Sequence, residues 1–239
     1  MEWMLETPWL LAGLFAVIAF GYASVGLGGG SLYTTLLAVT GVGFQIIPTI
    51  SLSLNLMVTF LGSVEFSRSG HGQWKKIIPF LLGSIPMAFL GGILNFPRDI
   101  FYKLLLLSLL LVAVRMYFWR TQQWKLKLST KAVVIFSIIT GGLLGFIAGT
   151  VGIGGGIYLV PILIILGLSS AREAAAIGSV FICVNSLSGL AARLLFNQLD
   201  ITLMGEFIQI LPPLLLAVSL GGWLGAHSGA NIFNLRTME

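Results

Sequence analysis

Two glycine-rich stretches hold the residues of this chain whose types and spacing most clearly suggest a binding chemistry. Val25-Gly26-Leu27-Gly28-Gly29-Gly30-Ser31 returns 126 positions later as Val151-Gly152-Ile153-Gly154-Gly155-Gly156-Ile157. Each copy interrupts a long apolar run, where glycine weakens a helix by about 1 kcal/mol relative to alanine and offers no side chain to pack. A helix broken there leaves free N–H groups at the start of the half-helix that follows, with the positive end of its dipole facing whatever lies in front. An anion is the natural guest of such a site. Gly28, Gly29, Gly30, Gly154, Gly155 and Gly156 are the candidate backbone donors, and Ser31, Thr34, Thr35 and Thr150 add hydroxyls that can replace water around an oxyanion. The competing reading is that the glycines only let helices approach closely, as small residues do inside membranes. That two copies match favours the binding reading.

A second polar set recurs at matching depth. Ser51, Ser53 and Asn55 lie in one apolar span, and Gly178, Ser179, Asn185, Ser186 and Ser188 in its counterpart. They either line a path or hydrogen-bond between helices. Arg193, a turn before the polar stretch Asn197-Gln198-Leu199-Asp200, is expected to supply positive charge from the rim, as an anion-coordinating or gating residue. Glu65 and Arg68 end their span, where snorkelling to the interface is the simpler account. His71 and His227 are expected in loops, and His71 near Glu65 could join a proton relay. No buried carboxylate stands out as a proton carrier, so proton coupling stays open.

Enzymatic readings fail on context. Gly26-Leu27-Gly28-Gly29-Gly30 only partly matches a dinucleotide-binding fingerprint and follows an apolar run rather than a short strand. No metal-ligand spacing, nucleophile triad or carboxylate pair is present, so neither a cofactor nor a metal is expected. The single cysteine, Cys183, cannot form an intrachain disulfide and reads as a small core residue.

The elements that must position these residues are membrane helices. Of 239 residues, 57% are hydrophobic and 9% charged, against roughly a quarter charged in ordinary globular chains. The net charge of +5 fits loops facing anionic lipid better than a nucleic-acid partner. The N-terminus lacks the basic region of a signal peptide and reads as mature protein. Apolar spans are expected over residues 9–40, 46–65, 76–94, 100–119, 132–168, 174–196 and 207–226, seven segments in a single all-α polytopic domain. Segments 9–40 and 132–168 are too long for one upright crossing and carry the glycine breaks at their centres. Pro79 and Pro86 mark expected kinks, and the leucine-rich 100–119 span reads as a lipid-facing support.

The chain reads as two homologous repeats, 9–120 and 131–230, divided by the polar linker 120–131. Gly62 matches Gly189, Pro79 matches Pro212 and Gly92 matches Gly225. The 100–119 span has no counterpart, so a final helix of the second repeat is expected to be missing. If each long segment is a hairpin that returns to its own side, the repeats are inverted and the N-terminus lies outside. If each is one crossing, the repeats are parallel and the N-terminus lies inside. Both models put most Lys and Arg inside, so charge does not separate them; inversion is favoured because it opposes two equivalent breaks at mid-membrane.

The doubled Gly-x-Gly-Gly-Gly motif, Tyr158-Leu159-Val160-Pro161, Ala176-Ile177-Gly178-Ser179 and the Gly70-His71-Gly72-Gln73-Trp74 loop together resemble the sulfite exporter TauE/SafE family of membrane permeases, grouped with toluene sulfonate uptake permeases. The resemblance covers nearly the whole chain. It implies a multi-pass protein of the plasma (inner) membrane that moves sulfite or organosulfonates, usually outward. Tyr33-Thr34-Thr35 stands where the second copy has Leu159-Val160-Pro161, so the first break is expected to differ. The expected function is a secondary transporter of small sulfur-containing anions, with Gly28, Gly29, Gly30, Ser31, Ser51, Asn55, Thr150, Gly154, Gly155, Gly156, Ser179, Asn185 and Arg193 around the substrate. A channel or permease for another small ion, or a membrane scaffold, is the alternative.

Overall fold

A computed structural model describes residues 8–118, 129–196 and 201–233. The polar linker and the Asn197–Asp200 stretch singled out from the sequence lie outside the described residues, apart from the last residues of the linker. The residues before the polar linker form α1 (Pro8–Ser24), α2 (Gly30–Val39), α3 (Ile47–Arg68) and α4 (Trp74–Ile93), followed by α5 (Arg98–Phe118). Those after it form α6 (Thr130–Val151), α7 (Gly156–Ile165), α8 (Ala171–Phe196) and α9 (Ile201–His227), which ends in a π-helical turn, Ser228–Ile232. Among the described residues there is no strand. The spans run as expected, and both long segments are split at their glycines. Among the described residues five helices are long and apolar enough to cross a membrane, while the arms α2 and α7 have ten residues each, about 15 Å of helix.

Each glycine cluster divides its labour. Gly26 takes φ +75° just past the end of α1, where its N–H donates to the Ala23 carbonyl and that of Leu27 to the Tyr22 carbonyl. This is the Schellman closure that glycine alone adopts without a Cβ penalty. Gly152 ends α6 likewise at φ +83°, donating to the Ala148 carbonyl. The last glycine of each set then opens the next helix. The two breaks are not identical: the second adds one more left-handed glycine, at Gly154. Pro79 and Pro86 lie within the continuous helix α4.

Close contacts fix the direction of each helix. Ala16, Phe20 and Ser24 of α1 meet Gly221, Gly225 and Gly229 in step, so α1 and the α9 end run the same way. Phe80, Ser84 and Ala88 of α4 meet Gly141, Gly145 and Gly149 of α6 in the same manner. These two glycine stripes, one residue in four, let backbones touch where lipid gives no hydrophobic drive for association. α3 and α8 cross in opposite senses, with Gly62 against Ser179 and Gly189 against Leu52. α9 follows α3 from Val58 opposite Gly222 to Glu65 opposite His227, and α4 follows α8 from Gln73 opposite Glu173 to Gly92 opposite Gly189.

The short arms run backwards. Gly30 and Thr34 of α2 meet Asn55 and Ser51 of α3, and Gly156 and Val160 of α7 meet Ile182 and Gly178 of α8. Each break is therefore a hairpin whose second arm returns antiparallel to the next long helix. α5 stands apart, its Leu106, Leu107, Leu110 and Leu111 exposed, as befits a helix facing lipid. Its inner face packs Phe101 against Phe44, and Ser108 offers its carbonyl to the Tyr158 hydroxyl of α7 at 2.7 Å.

Candidate functional site

The two breaks meet where α3 and α8 cross. A side chain started on Gly30 would run into the Asn55 amide and stand 2.9 Å from the Gly152 carbonyl oxygen, and one on Gly28 would strike Asn55 Oδ1. Gly154 lies beside the same Asn55 and, with Gly156, against Ile182. Gly29 and Gly155, the residues at the N-terminal ends of α2 and α7, have no side chain with which to cap them, and at the α7 start the Gly156 N–H donates to the Gly154 carbonyl at 2.9 Å. Two helix starts, running in opposite senses, thus converge on one buried locus with their dipoles' positive ends inward.

The polar side chains around this locus attend to carbonyls. Ser51 Oγ donates to the Gly152 carbonyl at 2.8 Å and receives the Thr34 hydroxyl at 2.9 Å. Asn55 Nδ2 donates to the same Gly152 oxygen at 3.1 Å. Across the molecule, Ser179 Oγ lies 3.2 Å from the Gly26 carbonyl and 2.9 Å from that of Ala175 in its own helix. Backbone acceptors exposed by a break need donors when buried, and each half supplies them to the other. Ser51→Ala is expected to lower the melting temperature in detergent, at a cost of about 1–2 kcal/mol. Ser53→Ala, whose hydroxyl bonds only to Thr49 in its own helix, should leave it nearly unchanged.

Other sequence candidates fall differently. Thr150 Oγ1 turns back to the Phe146 and Ile147 carbonyls, and Ser31 Oγ sits 3.3 Å from the Tyr22 hydroxyl. Asn185 is fully buried and bonds to the Phe181 carbonyl one turn earlier, at 2.8 Å. Arg193 is not at the rim. It is 5% exposed, and its Nη2 donates to the carbonyls of Gly149 and Thr150 at 3.0 and 2.8 Å. A guanidinium there answers the negative C-terminal end of α6 just before the second break.

Glu65 pairs with His227 rather than His71: Nδ1 lies 2.7 Å from Oε1, and Asn231 Nδ2 adds a bond at 3.1 Å from the π-helical turn. His227 ends α9 rather than lying in a loop. Tyr33, noted in the sequence only as a difference between the two copies, is buried, stacks on Phe15 at 5.0 Å and touches Gly29. The sequence did not point to Ala175 and Pro48, whose backbones press on Gly26 and Gly152. Nothing local marks those partners, because they lie over a hundred positions away in sequence.

The chain matches the model of a known family, described as sulfite exporter TauE/SafE, over residues 10–237. The chain belongs to the sulfite exporter TauE/SafE family. It is also similar to a protein of Sinorhizobium fredii described as probable membrane transporter protein y4hK, with 32% identity over 228 residues, 92% of this chain and 87% of that protein. No solved structure matches. The TauE/SafE chain is thus a multi-pass membrane transport protein, its glycine hairpins lying within the matched region.

Proposed function

We propose that this transporter is a secondary carrier that moves a small sulfur-containing anion, such as sulfite or an organosulfonate, outward across the plasma membrane. The observation that carries the reading is the convergence of two side-chain-uncapped helix starts, at Gly30 and Gly156, where α3 and α8 cross. Backbone amides at Gly28, Gly29, Gly30, Gly154 and Gly155 bind the oxyanion beside Gly156, whose own N–H donates to the Gly154 carbonyl at 2.9 Å, with Ser31, Ser51, Thr150, Ser179, Asn55 and Asn185 ordering the walls. Arg193 acts through the α6 carbonyls it holds, fixing the second break in place. Binding is tested by a thermal-shift screen of purified protein against sulfite, sulfate, thiosulfate and simple sulfonates. Stabilisation by sulfite or a sulfonate is expected, and a flat response to every sulfur anion would count against the substrate.

The halves act as inverted repeats. Supporting this, α1 and α3 run with α9 and against α8, while α4 runs with α6 and α8. α1, α3 and α4 therefore oppose their counterparts α6, α8 and α9. Arg68, Lys75, Lys76, Lys131 and Arg172 gather at one end of the bundle, and Arg98 and Lys103 lie towards the other, so the first end is cytoplasmic and the N-terminus outside. Alternating access then exchanges two equivalent hairpins about one central site. Trp9→Cys, made in a Cys183→Ser background, should react with impermeant maleimide on intact cells, whereas Lys75→Cys should react only after permeabilisation. The opposite pattern would contradict the inversion.

A further inference from the structure

We infer that the cradle selects a monoanion that brings its own hydrogen-bond donor, hydrogensulfite in its O–H form rather than the sulfite dianion, and that Asn55 is the residue that reads that donor. The inference rests on the anion cradle proposed above. Asn55 is fully buried, and its amide orientation is dictated by its partner: the Gly152 carbonyl can only accept, so the nitrogen must face it, at 3.1 Å. Oδ1 is thereby turned towards Gly28, where a side chain on that glycine would meet it first, and it has no hydrogen-bond partner. A buried acceptor left unpaired costs about 1–3 kcal/mol, and it sits beside the α2 start, where a helix presents backbone N–H donors.

The charge balance points the same way. Among the described residues Arg193 is the buried charged side chain, and its Nη2 is already taken by the Gly149 and Thr150 carbonyls. Helix starts carry roughly half a positive charge each, and the Arg193 charge lies behind the second break against the negative C-terminal end of α6, so the two starts that face the cradle compensate about one negative charge and not two. A dianion would meet an uncompensated charge and a repelling Oδ1 together. A monoanion with one O–H or N–H on sulfur gives its oxygens to the amides and its proton to Asn55.

Sulfamate and methanesulfonate separate the possibilities, being permanent monoanions of nearly equal size that differ in having an amino or a methyl group on sulfur. In proteoliposomes, the wild-type protein is expected to transport sulfamate about 5- to 100-fold faster than methanesulfonate at limiting concentration. Asn55→Leu should remove that preference. Sulfite flux at fixed total sulfite should fall with the hydrogensulfite fraction, roughly tenfold per pH unit above its ionisation, while sulfamate flux stays level. The wild-type comparison stands even if Asn55→Leu does not fold. Equal transport of the two monoanions, or sulfite flux that follows total sulfite, would overturn the inference and leave the cradle standing. No flux of any of the three would overturn the cradle itself.

Discussion

Gly26→Ala and Gly152→Ala are each expected to abolish transport, while Gly13→Ala leaves it intact. Both target glycines sit in the left-handed region, at φ +75° and +83°, where a Cβ costs about 1–2 kcal/mol. Neither has room for one. At Gly26 the new atom would strike the backbone of Ala175, and at Gly152 it would lie 2.9 Å from Pro48 Cα. Backbone cannot swing aside as a flexible side chain can, so α8 must separate from the first hairpin, or α3 from the second. Strain and displaced packing together exceed about 3 kcal/mol, and the helix start that follows each turn leaves its position. Gly13 has nothing within 4 Å of an added Cβ and lies inside α1, where alanine should stabilise the helix by about 1 kcal/mol. Flux in proteoliposomes and melting in detergent distinguish the cases. Wild-type flux from either turn variant would show that the hairpins do not form the site.

Arg193→Met is expected to give the second large effect. Methionine keeps much of the apolar stem but leaves the Gly149 and Thr150 carbonyls without the guanidinium that now bonds both. Hydrogen bonds to charged groups contribute about 1.5–3 kcal/mol, and these stand at the C-terminal end of α6, where the dipole favours a cation. The loss corresponds to roughly a 10- to 100-fold fall in transport if it is expressed in the geometry of the second break. Arg193→Lys should recover only part, because the lysine stem is shorter and its ammonium falls short of the position of the one nitrogen, Nη2, that now bonds both carbonyls. A methionine variant that transports and melts like the wild type would remove Arg193 from the account.

The apolar runs and the matched glycine clusters made the helices and the two breaks legible in the sequence, because hydropathy and glycine content act locally. The hairpin form of residues 9–40 was not, since a single crossing satisfies the same composition. It is decided by Thr34 meeting Ser51 and Gly30 meeting Asn55, contacts between helices that no local pattern encodes. Arg193 illustrates the limit in the other direction. Its nearness to a polar stretch suggested a rim position, yet the carbonyls of α6 offered a buried partner over forty residues away. Ser51, Asn55 and Ser179 were recognisable as candidates by type and depth, but their bonds to the opposite half's break are tertiary facts. The glycine stripes Gly141, Gly145, Gly149 and Gly221, Gly225, Gly229 were readable as spacing, although their partners were not.

Counterflow of radiolabelled sulfite into proteoliposomes preloaded with unlabelled sulfite tests the central claim most directly, with wild-type protein beside Gly30→Ala, whose Cβ would displace the Asn55 amide at the meeting point of the two breaks. Saturable counterflow in the wild type, lost in the variant, is the predicted result. Undiminished counterflow in Gly30→Ala, or a non-saturating current in place of exchange, would contradict it.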